Sequence, residues 1–238
     1  MTVGGRIMCG RITLRASAGK LSETFQVADW PQLFPRFNIA PTQLILCVRA
    51  LPDDPASREV VPMKWGLIPG WAHDPAIGNR MINARAETVA EKPSFRTAFK
   101  KRRCLIPADG FYEWEKTPEG KKQPWLIGLP GDAPFAFAGL WEEWHPASDG
   151  TSDVVPTVLS CTILTTSANA EMQPIHDRMP VILRPDDHAV WLNAGPHECL
   201  SLLKPLPDGT LHRHRVSVRV NNPRNESAEC VLAITHAS

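Results

Sequence analysis

The stretch CLIPADGFYEW, residues 104–114, joins an apolar run to a polar and aromatic one. The apolar run from Cys104 predicts a buried strand, and the Ala-Asp-Gly sequence after it predicts a loop. Glu113 follows that loop, flanked by Tyr112 and Trp114, whose rings would shield its carboxyl group from water. A shielded carboxyl group suits proton transfer, so Glu113 is a candidate general acid or base. The alternative is a solvent-exposed carboxylate in a loop.

Further short apolar runs lie on both sides of this stretch. Leu44–Arg49 and Val60–Leu67 predict a β-hairpin, because a polar turn at residues 51–58 separates them. More strands are predicted at Trp125–Leu129, Phe135–Trp141, Val155–Leu164 and Leu211–Val220. Helices are predicted at Lys20–Phe25, Ala84–Val89, Pro93–Lys101, Pro185–Leu192 and His197–Leu203. We therefore expect a single α+β domain with a mostly antiparallel β-sheet or partial barrel core and peripheral helices.

The composition is that of an ordinary globular domain. Of 238 residues, 43% are hydrophobic and 21% are charged. The formal net charge is only +1, so no strongly basic field indicates nucleic acid, and a DNA groove would need a local group of arginines. The basic run Lys100–Arg103 is more typical of a solvated helix end than of such a groove.

Six cysteines are spread along the chain without a CxxC pair or a zinc-like spacing to the histidines. No secretory leader is present, so we expect reduced thiols in a cytoplasmic protein, with Cys47, Cys161 and Cys230 in the core. No apolar run approaches the roughly 20 residues that span a bilayer. No phosphate-loop or dinucleotide motif occurs either. We expect no cofactor, no metal and no membrane contact.

Eight short motifs stand out because they combine reactive or polar side chains with rigid or aromatic neighbours. They are MCGR at 8–11, RFNIAPTQ at 36–43, WGLIPGW at 65–71, NAR at 83–85, IPADGFYEW at 106–114, TTSAN at 165–169, HDRMP at 176–180 and VSVRVNNPRN at 216–225. In this order they resemble the SRAP family, the SOS-response-associated peptidases or abasic-site-processing proteins. The resemblance implies an enzyme that binds abasic single-stranded DNA and links itself covalently to the lesion.

Cys9 carries the chemistry that the resemblance implies. A cysteine at a chain start offers a thiol and an α-amine, and such amines titrate at about pH 8. The amine condenses with the aldehyde of a ring-opened abasic sugar, and the thiol then closes onto the imine carbon to give a thiazolidine. The alternative is that Cys9 is a small buried hydrophobic residue, as most free cysteines are.

The residues before Cys9 are a departure from the family pattern, in which the reactive cysteine directly follows the initiator methionine. Residues 1–7 (MTVGGRI) are expected to be a disordered leader or to be absent from the mature protein, and residues 8–238 to form the SRAP domain. An α-amine held in a peptide bond cannot form a thiazolidine. Either translation begins at Met8 and this methionine is removed, or the protein cleaves its own Met8–Cys9 bond.

The resemblance implies three further catalytic residues besides Cys9. Glu113 would assist ring opening of the sugar and proton transfer during imine formation. His176 would shuttle a proton, since histidine titrates near neutral pH, and its alternative is a structural histidine bonded to the backbone. Asn83 would orient Cys9 or hold the sugar, because an amide both donates and accepts hydrogen bonds.

DNA contacts are expected from arginines and aromatic side chains. Arg11 and Arg85 are candidate phosphate clamps, because a guanidinium binds phosphate through two N–H groups. Arg178 is a third, unless it pairs with Asp177 or Glu113. The full expected DNA-binding set is Arg11, Asn38, Pro41, Trp65, Trp71, Arg85, Thr165 and Arg178. The aromatic members would stack on bases, with core packing as an equal alternative for each.

Two other functions stay open at this point. One is a cysteine peptidase with Cys9 as nucleophile and His176 as base, and the other is a non-enzymatic module that binds single-stranded DNA through the same arginines. For the crosslinking enzyme we also expect lyase and self-processing peptidase activities. The expected partners are single-stranded DNA containing abasic sites and replication-associated proteins. We expect a monomer located in the cytoplasm, at the nucleoid.

Overall fold

The structure, a computed structural model, describes residues 10–146 and 156–234. Its strands are β1 (Ile12–Leu14), β2 (Arg36–Ile39), β3 (Leu44–Ala50), β4 (Arg58–Trp65), β5 (Asn83–Arg85), β6 (Arg103–Ala108), β7 (Gly110–Lys116), β8 (Lys122–Gly128), β9 (Phe135–Trp144), β10 (Val158–Ser167), β11 (Arg178–Pro180), β12 (Ile182–Leu183) and β13 (His212–Arg215). Its α-helices are α1 (Ala18–Phe25), α2 (Arg96–Lys101), α3 (His188–Asn193) and α4 (Pro196–Ser201). Within these two ranges, no helix combines the length and the apolar character needed to cross a membrane.

The strands of the described chain form two sheets. One is antiparallel and has the order β13-β8-β7-β1-β2. In the other, β10, β4, β3, β6 and β9 close into a ring, because β9 pairs with both β6 and β10. Parallel pairing occurs where β4 and β5 meet β10. The predicted single α+β domain with a mostly antiparallel sheet or partial barrel is confirmed.

Buried thiols occupy the central strands of the ring. Cys47 on β3, Cys104 on β6 and Cys161 on β10 have no exposed surface, and neither has Cys230 near the C-terminus. Burial raises the pKa of the Cys47, Cys104 and Cys161 thiols, so these groups stay protonated and pack as small hydrophobic side chains. The predicted core positions of Cys47, Cys161 and Cys230 are therefore confirmed.

Between β6 and β7 the chain passes from one sheet to the other within one residue, Asp109. β6 ends one residue before it and β7 begins one residue after it. The buried Asp109 carboxylate accepts the Thr13 hydroxyl at 2.6 Å, the Arg15 Nε–H at 3.0 Å and the backbone N–H groups of Arg15 and Ala16. Because Thr13 lies in β1, this carboxylate fastens the first strand to the corner between the sheets.

Three predictions of secondary structure were wrong in part. Residues 84–85, the start of the helix predicted at Ala84–Val89, belong instead to β5, because pairing with β10 satisfies their backbone groups. Glu113 does not follow a loop: the chain turns at one residue and Glu113 lies inside β7. The predicted strand Leu211–Val220 is limited to His212–Arg215, because a 3₁₀ turn begins at Val218. The hairpin of β3 and β4 agrees with its prediction.

Replacing Asp109 should destabilise the fold strongly. Asp109→Ala removes the acceptor of several buried donors and leaves the Arg15 charge without its buried partner, a change that costs about 3 kcal/mol or more. Asp132→Ala is the matched control, because Asp132 also pairs with Arg15 but its side chain is 69% exposed. Exposed pairs contribute about 1 kcal/mol or less. Urea unfolding of both variants measures the difference, and equal losses would contradict the role given to Asp109.

His188, the first residue of α3, is buried against Phe25 of α1. The two rings stack, with centroids 5.6 Å apart and an interplanar angle of 16°. Burial lowers the pKa of His188 to about 4, and the positive charge of Arg58 acts in the same direction. The ring is therefore neutral at pH 7, whereas a histidine in an unfolded chain titrates at about pH 6.5.

The free energy of unfolding should fall as the pH drops from about 6.5 to about 4. In that window the unfolded chain binds a proton at position 188 and the folded protein does not, which costs about 1.4 kcal/mol per pH unit. Above this window the ring is neutral in both the folded and the unfolded state, so it does not make the free energy of unfolding depend on pH. Urea unfolding at several pH values checks the prediction against His188→Leu, which should lack this part of the slope. The same pH dependence in both proteins would refute it.

Candidate active site and DNA interface

Pairing with strand β10 brings together candidate residues from distant parts of the sequence. β5 runs parallel to β10, with Asn83 opposite Ile163 and Arg85 opposite Thr165. β11 runs antiparallel to β10, with Arg178 opposite Ser167. The motifs NAR, TTSAN and HDRMP therefore lie side by side at the C-terminal end of β10.

β5 reaches β10 because the chain before it is tightly turned. Asp74 caps the 3₁₀ turn Pro75–Arg80, where its carboxylate accepts the Ala76 N–H at 2.8 Å. Gly66 and Gly78 approach each other closely: a Cβ added to Gly66 would lie 2.5 Å from the Gly78 oxygen, and Gly66 has a φ of 130°. A side chain at Gly66 would therefore force the WGLIPGW loop away from the turn that leads into β5.

The Arg178 guanidinium is held in one orientation by Glu87 and Thr165. Its two terminal nitrogens donate to the two Glu87 oxygens, each at 2.9 Å, and Nη2 also donates to the Thr165 backbone oxygen at 2.7 Å. The hydrogen bond from Arg178 is the main cause that lowers the pKa of Glu87. Glu87 was not among the predicted site residues, since nothing in the sequence favours it as the partner of Arg178 over Asp177 or Glu113.

His176 is buried beside Arg178, and its Nδ1 has a partner in either protonation state. In the neutral ring, Nδ1 accepts the Arg178 backbone N–H at 3.2 Å. In the protonated ring, Nδ1–H lies 2.9 Å from Asp177 Oδ1. The ring can therefore gain or lose a proton without losing its position, as a proton-transfer group requires.

Glu113 is only 2% exposed, so the alternative of a solvent-exposed loop carboxylate is excluded. β1 pairs with β7, and the Tyr112 N–H donates to the Arg11 backbone oxygen at 3.0 Å. Continuing this antiparallel register places Gly10 opposite Glu113. Cys9 lies outside the described residues, and Gly10 is its covalently bonded neighbour.

Arg11 and Asn38 hold the C-terminal segment in place. The Arg11 guanidinium donates to Asn38 Oδ1 at 2.9 Å and to backbone oxygens within residues 220–221. The Asn38 amide nitrogen donates to backbone oxygens of residues 220, 222 and 225, at 2.9–3.2 Å. Asn38 has no exposed surface, so its predicted contact with DNA is wrong. Arg11 is half-buried, and its phosphate contact stays a prediction.

Glu226 is a second residue that the sequence analysis missed. Its carboxylate accepts the backbone N–H groups of Phe37 and Asn38 and pairs with Arg36 at 3.1 Å. These N–H groups belong to β2, the edge strand of its sheet, and would otherwise lack a strand partner. The C-terminal motif VSVRVNNPRN and the residue after it therefore close the edge formed by RFNIAPTQ.

Two further DNA-binding candidates are buried. Trp65 has no exposed surface and its Nε1–H donates to the Ile82 oxygen at 2.9 Å, so the predicted stacking of Trp65 on a base is wrong. Thr165 is 2% exposed, and its backbone oxygen accepts a hydrogen bond from Arg178. Thr165 thus positions Arg178 from inside the protein, and its predicted contact with DNA is wrong because its side chain is buried.

Three other candidates are accessible. Trp71 is 56% exposed, Arg85 is exposed and Pro41 is partly exposed. Trp71 borders an open cavity of about 510 Å³ that is also lined by His73 and Arg80. An exposed indole beside a basic side chain is the arrangement on which a nucleobase stacks while its phosphate is neutralised.

Comparison with known proteins shows to which family the chain is similar. The family model for SOS response associated peptidase (SRAP) matches residues 8–223. The abasic site processing protein YoaM of Bacillus subtilis is 43% identical over 238 residues, covering 96% of this chain and all of YoaM. The abasic site processing protein HMCES of Xenopus tropicalis is 34% identical over 271 residues, covering 95% of this chain and 78% of HMCES. A crystal structure of a Bacteroides thetaiotaomicron protein matches with a TM-score of 0.82 at 25% identity, covering 95% of this chain and all of that chain.

The family match runs from the MCGR motif into the C-terminal motif VSVRVNNPRN. Residues 1–7, the predicted leader, lie outside both the match and the described residues. The resemblance inferred from the ordered motifs is confirmed, and the chain belongs to the SOS response associated peptidase (SRAP) family.

Proposed function

We propose that this protein processes abasic sites in single-stranded DNA through a covalent bond between Cys9 and the sugar aldehyde. The observation that carries the proposal is membership of the SRAP family, together with relatives that bear the name abasic site processing protein. The pairing of β5 and β11 with β10 supports it, because Asn83, His176 and Arg178 come from the two motifs that flank this strand.

The first step is exposure of the Cys9 α-amine. Hydrolysis of the Met8–Cys9 peptide bond by the protein itself would release residues 1–8 and leave a free amine. Initiation at Met8 followed by removal of this methionine gives the same product. The family description as peptidases supports the first route.

The covalent step then proceeds through an imine. The Cys9 nitrogen adds to the aldehyde carbon, and loss of water gives the carbon–nitrogen double bond. The thiolate sulfur attacks the same carbon, and the nitrogen takes up a proton, which closes the thiazolidine ring. No redox change occurs, and water is the only molecule released.

Proton transfers in these steps fall to Glu113 and His176. Glu113 is buried and lies opposite Gly10 in the strand register. Gly10 is bonded to Cys9, whose amine must lose protons, so Glu113 is proposed to accept them. His176 keeps a partner in both protonation states, which suits transfer to and from the sugar oxygen. Asn83 would hold the opened sugar through its amide.

DNA binding is proposed to combine phosphate contacts with stacking. Arg178, preoriented by Glu87, lies on β11 and the exposed Arg85 lies on β5; both strands pair with β10, and the two arginines would hold phosphates near the lesion. Trp71 and Pro41 would contact the neighbouring bases. The overall charge of +1 makes this local pair of arginines, and not a general basic field, the source of attraction.

Three finer parts of the proposal concern activity and location. Removal of a C2′ proton from the imine would expel the 3′-phosphate, which is the lyase reaction. The protein would act as a monomer. It would work in the cytoplasm at the nucleoid, where replication-associated proteins expose single-stranded DNA.

A version of the protein that begins at Cys9 should form a band on a denaturing gel with abasic single-stranded DNA, without any reductant. Cys9→Ala retains the α-amine but cannot close the thiazolidine, so its link should survive only after borohydride reduction. Cys199→Ala, which removes a different thiol, should behave as wild type.

The outcomes of this gel separate the competing functions. A stable band with Cys9→Ala in the absence of borohydride would contradict thiazolidine formation. Cleavage of an unrelated peptide without any DNA band would favour a cysteine peptidase. Salt-sensitive DNA binding without a covalent band would favour a non-enzymatic module. Intact-mass analysis of the protein from its native host tests the first step, and a mass that retains residues 1–8 would exclude it.

Arg178→Ala should weaken binding to abasic single-stranded DNA about tenfold, because a charge-assisted contact to phosphate is lost. The slope of log affinity against log salt should decrease by about 0.7 for the lost contact. Arg184→Ala is the matched control, since Arg184 is an exposed arginine six residues further along. Fluorescence anisotropy at several salt concentrations measures both quantities. An unchanged salt slope for Arg178→Ala would argue against a phosphate contact.

A further inference from the structure

A small cavity beside α3 lies apart from the motifs of the proposed active site. Its volume is about 150 Å³, and it is lined by Phe135, Leu183, His188 and Leu206, among others. These four side chains are all buried, whereas the rim residues Arg184, Pro185 and Pro207 are exposed and Thr24 is partly exposed. The cavity is therefore a pocket with an apolar floor and an opening at the surface. We name it the His188 pocket.

His188 is the polar feature of this floor. It is 1% exposed, and among residues 10–146 and 156–234 neither of its ring nitrogens has a hydrogen-bond partner. The Leu183 backbone lies close enough to His188 to raise its pKa as a hydrogen-bonding contact, but it does not meet the distance and angle of a regular hydrogen bond to either ring nitrogen. A buried donor or acceptor without a partner is costly, and such groups are rare unless water or a ligand satisfies them.

We propose that the His188 pocket binds a neutral single-ring molecule with one hydrogen-bonding group, of which phenol is the simplest example. The volume of the pocket indicates the size of the ligand, because a cavity of about 150 Å³ accommodates one benzene-sized ring. The apolar floor indicates that most of the ligand is hydrophobic, since the side chains of Phe135, Leu183 and Leu206 offer only apolar contacts. The ring nitrogens of His188 indicate that the ligand has one polar group, which would hydrogen-bond to them.

The neutral floor of the pocket favours a neutral occupant over a buried ion. The His188 ring is neutral at pH 7 and so presents one donor and one acceptor, which match a hydroxyl group. Arg58 and Asp186 are the charged groups that act on this ring, with opposite signs. A lone water is a poor alternative, because it needs two to four polar partners and the floor supplies one polar side chain.

The test uses phenol and its near-isostere toluene as probes of the full-length protein. Phenol should bind about tenfold more tightly than toluene, which is the effect of one buried hydrogen bond. The ring signals of His188 in NMR spectra should shift on addition of phenol. His188→Leu should abolish the preference, so that both probes bind with similar affinity.

A second variant locates the binding. Leu206→Trp fills the pocket from its wall and should reduce phenol binding at least tenfold, and thermal melting establishes that each variant is folded. Failure of both probes to bind wild type would overturn the proposal in favour of a water-filled cavity. Equal affinity for phenol and toluene, or phenol binding that survives Leu206→Trp, would overturn it as well. DNA crosslinking is measured in the same samples and is expected to be unchanged, because the proposal does not depend on the proposed function.

Discussion

Asp109 accepts hydrogen bonds from three residues at a position that water does not reach, and the two sheets meet there. A carboxylate that is buried and fully hydrogen-bonded tolerates little displacement, because any lost bond leaves a charge in an apolar surrounding. This rigidity extends to β1, which Thr13 and Arg15 tie to the corner. The placement of Gly10 opposite Glu113 depends on this one carboxylate.

The charged groups near β10 show a second constraint. Arg178 is neutralised by Glu87 before any DNA is present, and Arg11 spends its donors on the C-terminal segment. A phosphate must therefore share or replace existing partners, which limits the affinity that arginines can add. Under the proposed function this is useful, because intact single-stranded DNA would be released and only a lesion that reacts with Cys9 would be retained.

Much of the fold and part of the site follow from local patterns. The hairpin of β3 and β4 and the class of the fold were predictable, since apolar periodicity and turns depend on residues that are neighbours in the sequence. The burial of Trp65 was not predictable, because a tryptophan at the start of WGLIPGW looks the same in the sequence whether it faces a base or the core. Arg103 is similar: it belongs to a basic run, yet it is buried and donates to the Phe99 and Ala194 oxygens. The Glu87 and Glu226 contacts join segments 91 and 190 residues apart, which no local pattern reveals.

The contacts of Arg11 with the backbone near residue 220 bear on how the protein matures. The first strand pairs with β7, about a hundred residues later, and is then covered by the last part of the chain. Contacts of such long sequence separation form late, because loop closure must precede them. During synthesis, the segment with Arg11 and β1 emerges from the ribosome early and yet waits for nearly the whole chain before these contacts can form. Under the proposed function, a product truncated before residue 220 would carry Cys9 but lack the contacts that hold Arg11 in place.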